Sequence, residues 1–201
     1  MSLVKNKFHV ILASQSPFRA ELLNRLGIDF EQVSSDIDET CRPGESAQEL
    51  TQRLATRKAQ FVLDRLESMA DETLVIIGSD QVASHRGKIL GKPRSRENAI
   101  KQLSTFKNDK VEFFTAVSVL THAEKFEHLD VTQVYFKELS LKQIENYVDA
   151  EDVLNCAGSF KSEGLGISLF KKIKNQDPTA LIGLPMIWVA NCLQKIGIKI
   201  P

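Results

Sequence analysis

The run Leu74-Val75-Ile76-Ile77-Gly78 constrains this chain more than any other. It is continuously apolar and rich in β-branched side chains, the pattern of a buried strand rather than a half-exposed one. It leads straight into Ser79-Asp80-Gln81. An acidic residue at the C-terminal end of a buried strand stands where open α/β sheets bind ligands. A carboxylate there can hold a divalent cation or take a proton from water. On local sequence alone, an Asp that only starts a turn has an equal claim.

The rest of the chain alternates strands and helices. Phe8 to Ala13 is a compact strand, and Pro17 suits the first position of a helix with Ser16 as its N-cap. Leu22, Leu23 and Leu26 give that helix an apolar side, and Gly27 closes it. A second strand is expected at Phe30 to Val33. Leu50, Leu54, Phe61, Val62, Leu66 and Met69 keep a helical period and predict an amphipathic helix over Ser46 to Met69. A hairpin at Arg86-Gly87, a loop at Gly91-Lys92-Pro93 and a helix over Ser95 to Phe106 follow.

Val111 to Leu139 is rich in Val, Phe, Thr and Tyr and is broken by the polar His122 to His128, which predicts two long antiparallel strands. Ser140-Leu141-Lys142-Gln143 fits a capping box opening a helix to about Asp149. A strand near Ile167 to Ile173, a turn at Asn175 to Pro178, and a helix over Pro185 to Lys195 ended by Gly197 complete the chain. This order implies an α/β or α+β fold. With no repeat and no linker, residues 1–201 read as a single domain.

Composition narrows the function. Hydrophobic residues make up 42% of the 201, enough to bury a core without disulfides. Lys plus Arg and Asp plus Glu each number 26, so no stable complex with nucleic acid is expected, although a local basic pocket for a small anion is compatible with that balance. Cys41, Cys156 and Cys192 are odd in number and lack a CxxC spacing, as free thiols in a reducing compartment would. No stretch approaches the roughly 20 apolar residues of a membrane span, and Phe8 to Ala13 is too short for a signal core. A cytoplasmic protein without membrane contact is expected. His9, His85, His122 and His128 are scattered, which argues against zinc, and no GxSxG or Cys–His arrangement suggests covalent catalysis.

Several segments could carry chemistry. Ser14-Gln15-Ser16-Pro17-Phe18-Arg19 joins a strand to a helix, where free backbone N–H groups, serine hydroxyls and Arg19 suit a phosphate. A plain cap at Ser16 is the alternative, and the P-loop spacing is absent. Lys58 and Lys92 could face an anion, and Asp36, Asp38 and Glu39 could hold a hard cation such as Mg²⁺. Solvated surface charge is the alternative for each. Cys156-Ala157-Gly158-Ser159-Phe160-Lys161-Ser162-Glu163-Gly164 combines small residues, which allow close backbone approach, with opposite charges at Lys161 and Glu163. The Cys156 thiol, beside Ala157 and Gly158, is expected to pack rather than react.

Taken in order, Leu12 to Arg19, Asp36-Ile37-Asp38-Glu39, Ile76 to Gln81, Gly91-Lys92-Pro93, Cys156 to Gly164 and Gly183-Leu184-Pro185 resemble the Maf family of nucleotide pyrophosphatases over about residues 8 to 197. Ser79-Asp80-Gln81 and the Cys156 to Gly164 segment resemble the subgroup that hydrolyses 7-methyl-GTP. The resemblance implies an α/β fold with a mixed central sheet flanked by helices, two lobes around a nucleotide-binding cleft, and often a homodimer. It implies hydrolysis between the α and β phosphates to 7-methyl-GMP and diphosphate with a divalent metal, Mg²⁺ or Mn²⁺. By the same resemblance Asp80 is the proton acceptor and Ser14, Arg19, Lys58 and Lys92 hold the triphosphate. Glu39 and Asp80 belong to the metal site, and Phe18, Gln81 and Glu163 set substrate choice. The subgroup frequently has Trp where this chain has Phe18, a π-face of smaller area and weaker quadrupole. A broader pyrophosphatase acting on dTTP, UTP or modified nucleotides is the alternative enzyme. A non-enzymatic regulator of septum formation is the alternative from another class.

Overall fold

The computed structural model describes residues 8–66 and 73–200. The Leu74 run forms a strand and extends well past it, so that β3 spans Leu74–His85. Strands β1 (His9–Leu12) and β2 (Glu31–Gln32) lie parallel on one side of it. On the other side follow β5 (Lys110–Leu120), β6 (Lys125–Phe136) and β7 (Phe170–Lys174), all antiparallel. The mixed sheet runs β2-β1-β3-β5-β6-β7, with the short β4 (Lys88–Ile89) folding back onto the end of β3. The helices are α1 (Pro17–Asn24), α2 (Ala47–Leu66), α3 (Arg96–Thr105), α4 (Leu141–Ala150) and α5 (Met186–Ile196).

Alternation along β3 sorts the layers. Leu74 and Ile76 pack with Ala59 and Val62 of α2, while Val75 and Ile77 pack with α1 and α5 through Leu22, Leu23, Val189 and Leu193. On that second face, Ala83 joins a separate cluster built on α3 and α4 with Leu103, Phe106 and Ile144. Two apolar clusters therefore occupy the two ends of one sheet face. The polar stretch Ser79 to Gln81 lies between them.

Helix ends follow local chemistry. Ser16 accepts from the Arg19 N–H at 3.4 Å with Pro17 in the first turn, Ser95 caps α3, and both halves of the Ser140–Gln143 capping box are made. Gly197, at φ 105, ends α5.

Three boundaries differ from expectation. Asp80 is not at a strand end but inside β3, because β5 pairs with it from Ile76 to Ser84. Leu165–Leu169 is a 3₁₀ turn and the last strand starts only at Phe170; at Gly166 the backbone runs so close to the Lys161 carbonyl that a Cβ would lie 2.2 Å from its oxygen. The second strand shrinks to Glu31–Gln32. The expected end of α2 at Met69 lies outside the described residues.

One side of β3 is left partly open. β1 stops at Leu12, opposite Ile77, with a last bond from the Ala13 N–H to the Ile77 carbonyl. Pairing resumes only where the Leu90 N–H meets the Ala83 carbonyl and β4 opposes Ser84. Among the described residues, the strand from Gly78 to Val82 has a neighbour, β5, on one side alone. Such an edge presents backbone donors and acceptors to whatever lies beside it.

Gly78 lets α2 approach that stretch. A Cβ there would lie 2.3 Å from the Ala55 carbonyl oxygen and 2.7 Å from the Ala59 nitrogen, both backbone atoms of α2. Replacing Gly78 by Ala is expected to cost roughly 2–3 kcal/mol in a urea titration. A midpoint equal to the unsubstituted protein's would show that α2 is not seated this closely.

Candidate active site

Asp80 projects from β3 toward α2, and Lys58 on α2 meets it. The Lys58 Nζ lies 2.7 Å from Asp80 Oδ1 and 2.6 Å from Glu39 Oε1. Lys58 and Asp80 are each 7% exposed, whereas Glu39 reaches in from an exposed loop. A single buried ammonium thus joins two carboxylates. Burial raises the pKa of Asp80; the charge and hydrogen bond of Lys58 and the charge of Arg19 oppose that rise, while Glu39 adds to it. Oδ2 of Asp80 makes no hydrogen bond among the described residues.

Arg19 and Ser14 sit where β1 ends. Arg19 Nε donates to the Gly183 carbonyl at 3.0 Å and Nη1 to Ser14 Oγ at 3.3 Å. Burial lowers the Arg19 pKa, and the charges of Asp80 and Glu39 work against that. The buried Ser14 Oγ also accepts from the Ser16 N–H at 3.2 Å. Cap and predicted phosphate loop are one structure here.

Gln81 points to the opposite face. Its Nε2 donates to the Ala180 and Leu181 carbonyls at 2.9 and 3.0 Å and lies 2.9 Å from Thr115 Oγ1. That orientation leaves Oε1 without a partner among the described residues and turned from those carbonyls. Gln81 lines a cavity of about 180 Å³ together with Phe18, Phe113, Cys156, Phe160 and Glu163. Phe18 is 47% exposed, and Glu163, also exposed, accepts from Ser162 Oγ at 3.0 Å. The three residues expected to set substrate choice therefore share one pocket, and Cys156 is part of its wall.

Not every expected residue converges. Lys92 is exposed in the loop after β4 and makes no ion pair among the described residues. Asp38 is occupied with the Thr40 N–H at 2.9 Å, so only Glu39 of the acidic cluster meets Lys58. A larger hollow of about 420 Å³ between α2 and β5–β6 contains none of the expected residues; of its lining charges, Lys125 pairs with Glu127 within it and Arg53 with Glu45 outside it.

Sequence reasoning missed the supports of the loop at 180–184. Ser79 Oγ donates to the Gly183 carbonyl at 3.0 Å and Thr115 Oγ1 to the Ala180 carbonyl at 3.0 Å. The available signal was a hydroxyl inside the apolar β5 run.

A family model described as Maf-like protein matches residues 9–196. The chain belongs to the Maf family. It is 48% identical to a Xanthomonas axonopodis pv. citri protein named 7-methyl-GTP pyrophosphatase, over 96% of this chain and 98% of that one. A protein of Idiomarina loihiensis with the same name is 47% identical over 94% and 96%. Among solved structures, the Staphylococcus aureus Ham1 protein is similar over 65% of this Maf protein and 72% of its own chain, at a TM-score of 0.42 and 15% identity. That likeness is too slight to bear on the site. Among the described residues no helix is long and apolar enough to cross a membrane.

Removing the ammonium while keeping the bulk, in Lys58→Met, takes away the two largest opponents of the desolvation of Asp80. Its pKa is expected to rise further in a ¹³C titration of the carboxyl. An unchanged or lower value would contradict the ion pair.

Proposed function

We propose that this Maf protein hydrolyses 7-methyl-GTP to 7-methyl-GMP and diphosphate. The observation that carries this is the arrangement about the open edge of β3. Asp80, Lys58 and Glu39 stand on one face, the Phe18–Gln81–Glu163 pocket stands on the other, and Arg19 and Ser14 lie at the end of β1. A nucleotide lying across that edge puts its base in the pocket and its phosphates against the cations.

The base pocket suits a methylated guanine. Guanine offers N–H donors along one edge, and Gln81 Oε1 and the Glu163 carboxylate are acceptors. Methylation at N7 makes the ring cationic, which favours the face of Phe18 and the charge of Glu163. Thymine and uracil offer only one N–H on that edge, flanked on both sides by carbonyl oxygens that would face the same acceptors.

At the phosphates, Arg19, Lys58 and the Ser14 hydroxyl offset charge that grows on the departing diphosphate. Lys92, exposed and unpaired, supplies a further cation. The free Oδ2 of Asp80 takes the proton of the attacking water, and burial makes that carboxylate a stronger base than an exposed one.

Glu39 and Asp80 are hard oxygen donors of the kind Mg²⁺ or Mn²⁺ takes, but Glu39 Oε1 and Asp80 Oδ1 both face the Lys58 ammonium, so a cation would be held by their remaining oxygens, Asp80 Oδ2 among them. Among the described residues no group of three or more His, Cys, Asp or Glu converges, so phosphate oxygens and water would complete the shell. When bound, the cation supplies charge neutralisation at the phosphates. A nucleoside triphosphate substrate and three free cysteines are in keeping with action in the cytoplasm. The family resemblance also implies a homodimer, which sedimentation tests.

Diphosphate release from 7-methyl-GTP, GTP, dTTP and UTP with added Mg²⁺ or Mn²⁺ checks the proposal. The methylated nucleotide is expected to react fastest, and Asp80→Asn to lower kcat roughly 100-fold or more. Glu163→Gln is expected to reduce the preference for 7-methyl-GTP over GTP. Equal rates on all four nucleotides, or a fully active Asp80→Asn, would contradict it.

A further inference from the structure

Gln102 on α3 touches two loops that are distant in sequence. Its Oε1 accepts from the Ser159 hydroxyl, and its Nε2 donates to the Gly91 carbonyl at 3.3 Å. Ser159 is fully buried in a turn where it has φ 62 and its neighbour Gly158 has φ 80. A non-glycine residue holds such a conformation only where its surroundings fix it. That turn lies within the Cys156 to Glu163 wall of the base pocket. Gly91 begins the loop that carries Lys92.

The two loops are fastened elsewhere as well. The Arg94 N–H donates to the Leu154 carbonyl at 3.1 Å, and Arg94 Nη1 to Asn155 Oδ1 at 3.3 Å. Asn98 Nδ2, also on α3, donates to the Pro93 carbonyl at 3.0 Å. The Lys92 loop and the pocket wall therefore rest on one helix and on each other.

We propose that Gln102 is a positioning residue that sets the pocket wall and the Lys92 loop at a fixed spacing. A base seated in the pocket is thereby registered with the cation offered to the phosphates. This rests on the nucleotide reading above, although Gln102 is not among the residues lining the base pocket and acts only through the loops it holds. An amide suits the place because it presents an acceptor to Ser159 and a donor to Gly91 at once. Glu would keep the acceptor and lose the donor, and Leu would keep neither.

Three variants separate the two bonds. Ser159→Ala is expected to lose roughly 5- to 10-fold of the KM preference for 7-methyl-GTP over GTP and to leave inhibition by diphosphate unchanged. Gln102→Glu is expected to weaken diphosphate inhibition by a similar factor and to leave the base preference largely intact. Gln102→Leu loses both, and adding Ser159→Ala to it reduces the preference no further. Amide exchange at Ser159 and Arg94 is expected to quicken in Gln102→Leu. A uniform fall in kcat on every nucleotide, with preference and diphosphate inhibition unchanged, would overturn the proposal, as would additive losses in the double variant. If the unsubstituted protein hydrolyses no nucleotide, the functional reading alone fails. The exchange measurement then decides the bridge, and unchanged exchange at both amides overturns it.

Discussion

Burying the Lys58 ammonium against Asp80 is the constraint on which the site depends. Two charges withdrawn from water are costly unless each keeps close partners. Here Lys58 has a carboxylate on either side, and Asp80 has Lys58 in contact with Arg19 near enough to act through its charge. The ammonium reaches Asp80 because α2 lies directly on the sheet, and it lies there because residue 78 has no side chain. An apolar packing requirement and a polar one thus meet in consecutive turns of strand and helix. The same burial serves the proposed role of Asp80, since a carboxylate stripped of water is the better proton acceptor.

A second constraint is the interrupted edge of β3. Had β1 continued past Leu12, or β4 begun earlier, a neighbouring strand would cover Ser79 to Gln81. Instead the chain turns at Ser14 into α1, and the loop at 180–184 is drawn in by Arg19, Ser79, Thr115 and Gln81. The opening is therefore walled by hydrogen-bonded loops, which can be shaped for a ligand more finely than a strand could be. Asp80 and Gln81, adjacent in sequence, face opposite sides of the sheet by the ordinary alternation of a strand. In the proposed reading, that alternation divides phosphate chemistry from base recognition.

What was legible in the sequence was mostly local. Caps at Ser16, Ser95 and Ser140 and the stop at Gly197 depend on residues within one turn, and the structure makes each of them. The long strands β5 and β6 declared themselves by composition. The sequence puts Asp80 at a strand end because the apolar run gives way to Ser79-Asp80-Gln81. These three are strand residues whose polar groups are met by a helix and a distant loop. The turn at Leu165–Leu169 is hidden from the local pattern, which shows only apolar residues around Gly166, a position whose backbone lies close to the Lys161 carbonyl. Of the site, Phe18, Gln81 and Glu163 line one pocket, while the tie from Gln102 to Ser159 spans 57 positions and leaves no local mark.

The account stands or falls on a nucleotide crossing the open edge of β3 with its base and phosphates on opposite faces. A crystal structure with a non-hydrolysable 7-methyl-GTP analogue, methylene in place of the α–β bridging oxygen, tests that directly. The base is expected between Phe18, Gln81 and Glu163, with the phosphates on Arg19, Lys58 and Ser14. An analogue bound instead in the hollow beside Arg53 and Lys125, with the Phe18 pocket empty, would contradict it.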